Sequence, residues 1–131
     1  MEYKTDKTFR ETELKALFES VHWLSANYSE RLVKAIANSD TVISAWDGER
    51  LVGLVNALDD GELTAYVHYL LVHPAYQKSG VGTELMTRIK KKYEGYLALV
   101  LTAEAQEVVA FYETLGFRAM NGATPMLLQT L

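Results

Sequence analysis

The sequence predicts an α/β (α+β) fold: a mixed, largely antiparallel central sheet flanked by helices, in one domain spanning residues 1–131. Three observations carry this. Apolar residues recur at helical spacing in some segments and alternate or run together in others, so both periods are present. Turn chemistry at Asp47-Gly48, Asp59-Asp60-Gly61, Pro74, Gly80-Val81-Gly82, Gly95 and Gly116 divides these segments into short elements. The chain of 131 residues is 49% hydrophobic; its folded surface of roughly 7,000 Å² against about 21,000 Å² unfolded allows a real core. The expected order is β-α-α-β-β-β-α-β-α-β-β.

Tyr3 and Thr5 alternate with charged neighbours, as in a short edge strand. Thr8 to Glu11 reads as a capping box before Leu14, Leu17, Phe18 and Val21, the inner face of a first helix. Ser29 is positioned to cap a second, in which Leu32 and Ile36 share a face. Thr41 to Trp46 and Leu51 to Leu58 flank Asp47-Gly48 as a hairpin, and Leu63 to Val72 forms a long strand stopped by Pro74. A third helix runs from about Thr83 to Tyr93, with Leu85, Met86 and Ile89 inward. Leu97 to Thr102 is apolar enough for a strand buried on both faces. Val108, Phe111, Tyr112 and Leu115 define a fourth helix with Gly116 as its C-cap. Short strands are expected near Phe117 to Met120 and Met126 to Leu131.

Composition excludes several chemistries. Without cysteine there is no disulfide framework, thiolate metal site or Cys nucleophile, which suits a reducing cytoplasm. The start lacks an apolar signal core, and the longest purely apolar run is Leu97 to Leu101, so the expectation is a cytoplasmic protein with no membrane partner. A net charge of −4 argues against nucleic acid. Residues 78–92 depart from that balance: Lys78, Arg88, Lys90, Lys91 and Lys92 against Glu84 give +4, leaving −8 elsewhere. This marks either an anion site or basic residues complementing a helix C-terminus. His22, His68 and His73 form no metal pattern; His68 and His73, five apart, would face opposite sides of a continued strand. Ser79 lacks the G-x-S-x-G context of a serine nucleophile.

The informative segment runs from Leu70 to Thr83: a strand feeds a glycine-containing loop that opens into a helix. A helix start offers unpaired N–H groups and partial positive charge, and Gly80 and Gly82 permit close approach of a phosphate. Gln77 and Lys78 add donors. A nucleotide P-loop is excluded because no Lys follows the glycines. A dinucleotide fingerprint would need a third glycine where Leu85 stands, although Glu104 falls roughly where a ribose-binding acid would be; a nucleotide-dependent oxidoreductase is therefore a minor alternative.

Gln77, Gly80 and Gly82 instead satisfy Q/R-x-x-G-x-G/A. Some thirty residues later Phe111, Tyr112, Gly116 and Phe117 satisfy aromatic-Tyr-x-x-x-Gly-Phe. Together they resemble the GNAT superfamily of acyl-CoA-dependent N-acetyltransferases, over essentially the whole chain. The similarity extends to small bacterial members and to plastid serotonin N-acetyltransferase-like proteins, which admits an arylalkylamine acceptor. The resemblance implies acetyl-CoA as co-substrate, no metal, and acetyl transfer to a primary amine by direct attack in a ternary complex. It implies that Gln77, Lys78, Ser79, Gly80, Val81, Gly82 and Thr83 cradle the coenzyme A pyrophosphate. It further implies that Leu70, Leu71 and Val72 pair with the pantetheine arm, where their strand splays from that at Leu97 to Thr102. An N–H near Leu71 or Val72 would polarise the thioester carbonyl, making Val72 a catalytic candidate. Tyr112, also at the cofactor, matches the general acid that protonates the leaving thiolate. Lys78 or Lys90 to Lys92 would meet the 3′-phosphate.

Histone-type members carry a glutamate base where Tyr66 stands here, and many members an Asn where Ala105 stands. The base candidates are His68, Glu62, Asp59, Asp60 and Glu104, or a water relay. Phe18, His22, Trp23, Ser25 and Tyr28 are acceptor-pocket candidates. The Tyr66 and Ala105 departures also support an alternative, a non-catalytic acyl-CoA-binding or regulatory protein. Met126-Leu127-Leu128 is the expected contact of a homodimer.

Overall fold

A computed structural model describes residues 1–131, which group into two compact units, Met1–Leu101 and Thr102–Leu131. The first unit holds a five-stranded sheet in the order β1-β2-β3-β4-β5, formed by Glu2–Lys4, Thr41–Asp47, Arg50–Asp59, Thr64–Val72 and Ala98–Val100. The first three pairings are antiparallel, and β4 pairs β5 in parallel. Helices α1 (Glu11–Ser20) and α2 (Ser29–Ala37) follow β1, separated by a 3-10 segment at Leu24–Tyr28. Helix α3 (Val81–Lys92) joins β4 to β5 after a 3-10 turn at Pro74–Tyr76.

Strand alternation divides the sheet into two apolar faces. On one, Val42, Leu51, Leu54 and Leu71 pack with Phe9, Leu14, Leu17, Phe18, Leu32 and Ile36. Leu14, Leu17 and Phe18 of α1 and Leu32 and Ile36 of α2 are inward positions three and four residues apart, as an amphipathic helix requires. The other face meets α3, whose Val81, Leu85, Met86 and Ile89 are buried. Gly53 lies beneath it: a Cβ built there would stand 3.1 Å from Val81 Cγ1, 3.2 Å from Leu85 Cδ1 and 3.4 Å from Ala45 Cβ. The helix therefore approaches β3 as closely as the absence of a side chain permits.

The β2–β3 hairpin turns through Gly48 and Glu49, and Gly48, at φ +59°, has the sign that a II′ turn requires at its first central position. The β3–β4 turn is built by two carboxylates. Asp60 Oδ1 accepts the N–H groups of Glu62 (2.9 Å), Leu63 (2.7 Å) and Thr64 (3.1 Å), and Asp59 Oδ1 accepts that of Gly61 (2.8 Å). Asp59 Oδ2 also accepts a hydrogen bond from the Tyr93 hydroxyl at 2.7 Å.

Several expectations are corrected. Helix α1 begins at Glu11, where the Arg10 N–H bonds Glu13 Oε2 at 2.7 Å; the box lies two residues beyond Thr8–Glu11. Ser29 is the first residue of α2, not its cap, and its hydroxyl donates to Glu11 Oε1 at 2.6 Å. Helix α3 starts at Val81, two residues early, because Gly80 at φ +90° supplies the N-cap. Strand β5 has three residues, all half-buried, and Leu97 is 81% exposed; pairing with one strand does not bury both faces.

The second unit contains α4 (Gln106–Thr114). The two C-terminal strands expected at Phe117 to Met120 and Met126 to Leu131 do not form: no backbone hydrogen bond is made beyond Phe117. Gly122 at φ +84° and Pro125 interrupt extension, and an apolar run becomes a strand only when another ladder satisfies its amides.

Gly53→Ala is expected to force Val81 and Leu85 aside and to lower unfolding free energy by about 1–2 kcal/mol in urea titration; an unchanged midpoint would contradict the close approach of α3.

Candidate functional site

In the first unit the candidate site is built by β4, its loop and the start of α3. The register of β4 on β3 shifts at one place. Tyr66 and Val67 oppose Leu58 and Ala57, whereas Tyr69 to Val72 oppose Asn56 to Gly53, so His68 is an extra residue in β4. This is a β-bulge, and it has two consequences.

The first concerns the backbone. Asp60 N–H bonds Thr64 O, and antiparallel alternation then turns the amides of Thr64 and Tyr66 toward β3. Beyond the bulge, His73 N–H bonds Val52 O at 2.8 Å, so Leu71 is the next residue turned toward β3. Leu70 and Val72 consequently present their amides to the opposite edge. That edge is open, because β5 pairs β4 only from Thr64 to Tyr66. The Leu71 N–H, one of the two expected at the carbonyl, is turned toward β3. The two outward amides, Leu70 and Val72, stand about 7 Å apart along the strand.

The second concerns side chains. Tyr66 and Tyr69 both oppose even-numbered β3 residues and so share the α1–α2 face, which a regular strand would forbid at a spacing of three. The expectation that His68 and His73 take opposite faces of a regular strand lapses at the bulge. Rings line up here: Trp23–Tyr69 at 5.7 Å, Tyr69–His68 stacked at 3.9 Å, and His68–Tyr66 at 5.9 Å. Tyr69 is further held by its hydroxyl at 2.7 Å from Ser25 Oγ. Of the acceptor-pocket candidates, Phe18 is fully buried core, while Trp23 and Tyr28 remain exposed. His22 is exposed in a turn at φ +60°. His68 has an open outer edge, yet loss of surrounding water holds its pKa below the ordinary imidazole value.

The loop is braced from within. Gln77 Nε2 donates to Val72 O at 2.9 Å, the carbonyl on the open edge, so Gln77 ties the strand end to the loop and spends one of its donors there. Ser79 Oγ donates to Tyr76 O, a turn bond that commits the hydroxyl. His73 Nδ1 accepts the Ala75 N–H at 3.0 Å and caps the 3-10 turn. Lys78 at φ +63° and Gly80 at φ +90° fold the segment back. No protein oxygen accepts the six consecutive N–H groups from Lys78 to Thr83; the first helical bond is Glu84 N–H to Gly80 O at 3.0 Å. Successive free amides in such a turn, at the positive end of a 12-residue helix, form an anion-binding concavity.

The basic cluster divides. Lys78 stands in the loop, but Lys90, Lys91 and Lys92 occupy the last turn of α3, about 15 Å along the axis from Gly80. Arg88 bonds Glu84 at 2.9 Å and lies over the Tyr3 ring at 4.6 Å. The α3 cluster thus complements a helix C-terminus. Asp59 and Asp60 are occupied in the β3–β4 turn, and the Glu62 N–H and its neighbours hold the Asp60 carboxyl below the usual carboxylate range. Neither is a promising base. Glu62 and Glu104 are exposed, and no group of three or more His, Asp or Glu side chains converges as a metal site.

In the second unit, Tyr112 is 8% exposed and contacts Phe111 and Phe117 edge-to-face, at 5.2 and 5.6 Å between centroids. Phe117 N–H bonds Tyr112 O at 3.2 Å, Gly116 N–H bonds Glu113 O at 3.1 Å, and Gly116 has φ +96°. This is a Schellman motif, with Tyr112 at its third-last helical position, Gly116 at the left-handed residue and Phe117 packing back on Tyr112. The Tyr-x-x-x-Gly-Phe signature is therefore a helix terminus that fixes the tyrosine. Burial pushes the Tyr112 phenol up to about 12. Both folded and unfolded forms are neutral below pH 10; above it the unfolded phenol ionises first, so stability falls as pH rises toward 12. Between pH 10 and 12, Tyr112→Phe is expected to lose up to about 2–3 kcal/mol less than the parent protein in urea titration; parallel pH dependences would contradict the buried phenol.

A family model described as an acetyltransferase (GNAT) domain matches residues 5–125. An uncharacterized ycf52-like N-acetyltransferase of Prochlorococcus marinus is 32% identical over 111 residues, 80% of this chain and 61% of its own length. A histone acetyltransferase, TAP1, of Glycine max is 29% identical over 119 residues, 82% of this chain and 51% of its own. The chain spans about three fifths of the length of the ycf52-type relatives it matches. Among solved structures, the GNAT-family protein SP0256 of Streptococcus pneumoniae TIGR4 superposes with a TM-score of 0.86 at 26% identity, covering 98% of this chain and 97% of its own. An aminoglycoside 6′-N-acetyltransferase complexed with coenzyme A shares the fold at a TM-score of 0.59 and 20% identity, over 70% and 54% of the two chains. With the splayed strand, the amide-lined loop and the Schellman-fixed tyrosine in place, this chain belongs to the GNAT acetyltransferase family.

Proposed function

We propose that the protein transfers an acetyl group from acetyl-CoA to a primary amine by direct attack within a ternary complex. The observation that carries the reading is the run of six unpaired amides from Lys78 to Thr83 directly beyond the open edge of β4. The residues suit the co-substrate. The amides of Ser79, Gly80, Val81, Gly82 and Thr83 would receive the pyrophosphate, with Lys78 adding charge. The outward groups of Leu70 and Val72 would pair with the pantetheine arm as an added strand. One of those two amides would donate to the thioester oxygen as charge develops on it.

The uncharged amine attacks, and as its C–N bond forms the nitrogen becomes cationic and far more acidic than the free ammonium, so its extra proton leaves at that stage. His68 is the candidate acceptor, through a water: its lowered pKa keeps the ring neutral near pH 7, and its side chain carries none of the turn bonds that occupy Asp59 and Asp60. Tyr112 is assigned to the departing sulfur by its motif. Complete transfer from a phenol at about 12 to a thiolate of pKa about 8.5 is uphill by roughly 5 kcal/mol. Its contribution is accordingly a hydrogen bond that stabilises the developing thiolate as the C–S bond breaks; the released thiolate takes its proton from solvent. The aromatic row of Trp23, Tyr69, His68 and Tyr66 suits an acceptor with a flat apolar body.

Calorimetry is expected to show acetyl-CoA binding, and free-thiol detection to show release that depends on added amine. Gly80→Ala places a side chain at φ +90°, costing about 1–2 kcal/mol, and should weaken binding about tenfold while the fold is kept. Tyr112→Phe should lower kcat about 10- to 100-fold, as loss of a hydrogen bond to a charged sulfur would, with acetyl-CoA affinity within about twofold. Binding without amine-dependent thiol release would return the non-catalytic acyl-CoA-binding alternative, and absence of binding by intact protein would overturn both. In a separate test, His68→Asn should lower kcat and remove the acid limb of its pH profile; an unmoved limb would take His68 out of the mechanism.

A further inference from the structure

We propose that Asn56 is a positioning residue for acyl transfer: its buried carboxamide locks the bulge that turns the Leu70 and Val72 amides to the open edge of β4. The proposal rests on the acetyl-transfer reading above and adds a residue that no motif of the sequence marks.

Asn56 is the one polar side chain in the buried run from Leu51 to Ala57, and it is 2% exposed. Burying a carboxamide there is costly unless its groups are paired. Both ends are. Oδ1 accepts the Tyr69 N–H at 2.8 Å, and Nδ2 donates to Ser39 Oγ at 3.0 Å. Ser39, also 2% exposed, donates a hydrogen bond from its hydroxyl to Ala35 O at 3.0 Å in α2. A bulge places two amides opposite one residue of the facing strand, here His68 and Tyr69 opposite Asn56. The Tyr69 amide finds a side-chain oxygen on that same residue, so it has an acceptor although the ladder is broken there.

The location decides the effect. Before the bulge, the even residues Thr64 and Tyr66 turn their amides to β3; after it, the odd residues Tyr69, Leu71 and His73 do. Had the earlier phase continued, Leu70 and Val72 would be bonded to β3, and the open edge would present Tyr69 and Leu71. Asn56 thus acts through Tyr69 on which amides face the thioester, and touches no reacting atom itself. Tyr69 also joins the bulge to the acceptor side through Ser25 Oγ at 2.7 Å and the Trp23 ring at 5.7 Å.

The test uses the full chain, with amide hydrogen exchange by NMR and steady-state kinetics. In the parent protein, Tyr69 and Leu71 should exchange slowly, and Leu70 and Val72 fast. Asn56→Leu fills the volume without an acceptor. It should speed Tyr69 exchange at least about tenfold, blur the alternation, lower kcat about 10- to 100-fold and raise KM for acetyl-CoA several-fold, because the disturbed amides are also those that pair with the pantetheine arm. Asn56→Asp keeps an oxygen for Tyr69 and should retain the alternation and most of kcat. Ser39→Ala should lose stability but keep both. Should the leucine variant not fold, Asn56→Thr, whose hydroxyl stops a bond short, replaces it. An unaltered exchange pattern in Asn56→Leu overturns the proposal whatever the activity, as does an altered pattern with unaltered kcat. A parent protein that shows the alternation but releases no thiol with any amine refutes the acetyl-transfer reading instead, while the exchange arm still upholds Asn56 as the lock on the amides.

Discussion

The amide of Tyr69 is held by the side chain of Asn56 where a regular ladder would use a backbone carbonyl. That bond sustains a single extra residue in β4, and the extra residue reverses which amides of the strand are spent on the sheet. The same strand parts from β5 after Tyr66. A parted strand with the opposite phase would expose different amides, and Tyr69 would leave the face on which it meets Phe18 and Trp23. Pairing, side-chain placement and the open edge are therefore one constraint seen from three sides.

The loop beyond the strand is attached to this constraint. Gln77 closes onto Val72 O, so the carbonyl that the splayed edge would leave unpaired is satisfied by the first residue of the glycine motif. Past Gln77 the chain turns through left-handed conformations at Lys78 and Gly80 and enters α3 with its first amides free. Close packing of α3 over Gly53 fixes where those amides stand relative to the sheet. Rigid elements thus hold a polar concavity that has no protein partner of its own, the usual arrangement for a phosphate site.

Much of this was legible in the residues. The helical spacing of Leu14, Leu17 and Phe18, the hairpin at Asp47-Gly48 and the stop at Pro74 each name a local conformation, because turn and helix chemistry is set within a few residues. The Tyr-x-x-x-Gly-Phe signature is legible for the same reason, since it describes a helix terminus closed by its own backbone. Other features were not. Asp59 and Asp60 read equally well as free carboxylates and as turn builders, and only the fold shows them bonded to the amides that follow. The expected C-terminal strands failed because apolar content at Met126 to Leu128 specifies extension without supplying a partner.

The sequence by itself determined the element types through β4, α3 and α4, the phosphate-loop motif and the identity of the candidate tyrosine, all consequences of short-range stereochemistry. Tertiary structure alone decided the bulge at His68, the turning of the Leu70 and Val72 amides away from β3, the bond from Gln77 to Val72 O and the pairing of the buried Asn56 carboxamide. Strand register arises from pairing between segments distant in the chain, and a shift of one residue changes every group facing outward without altering any local motif.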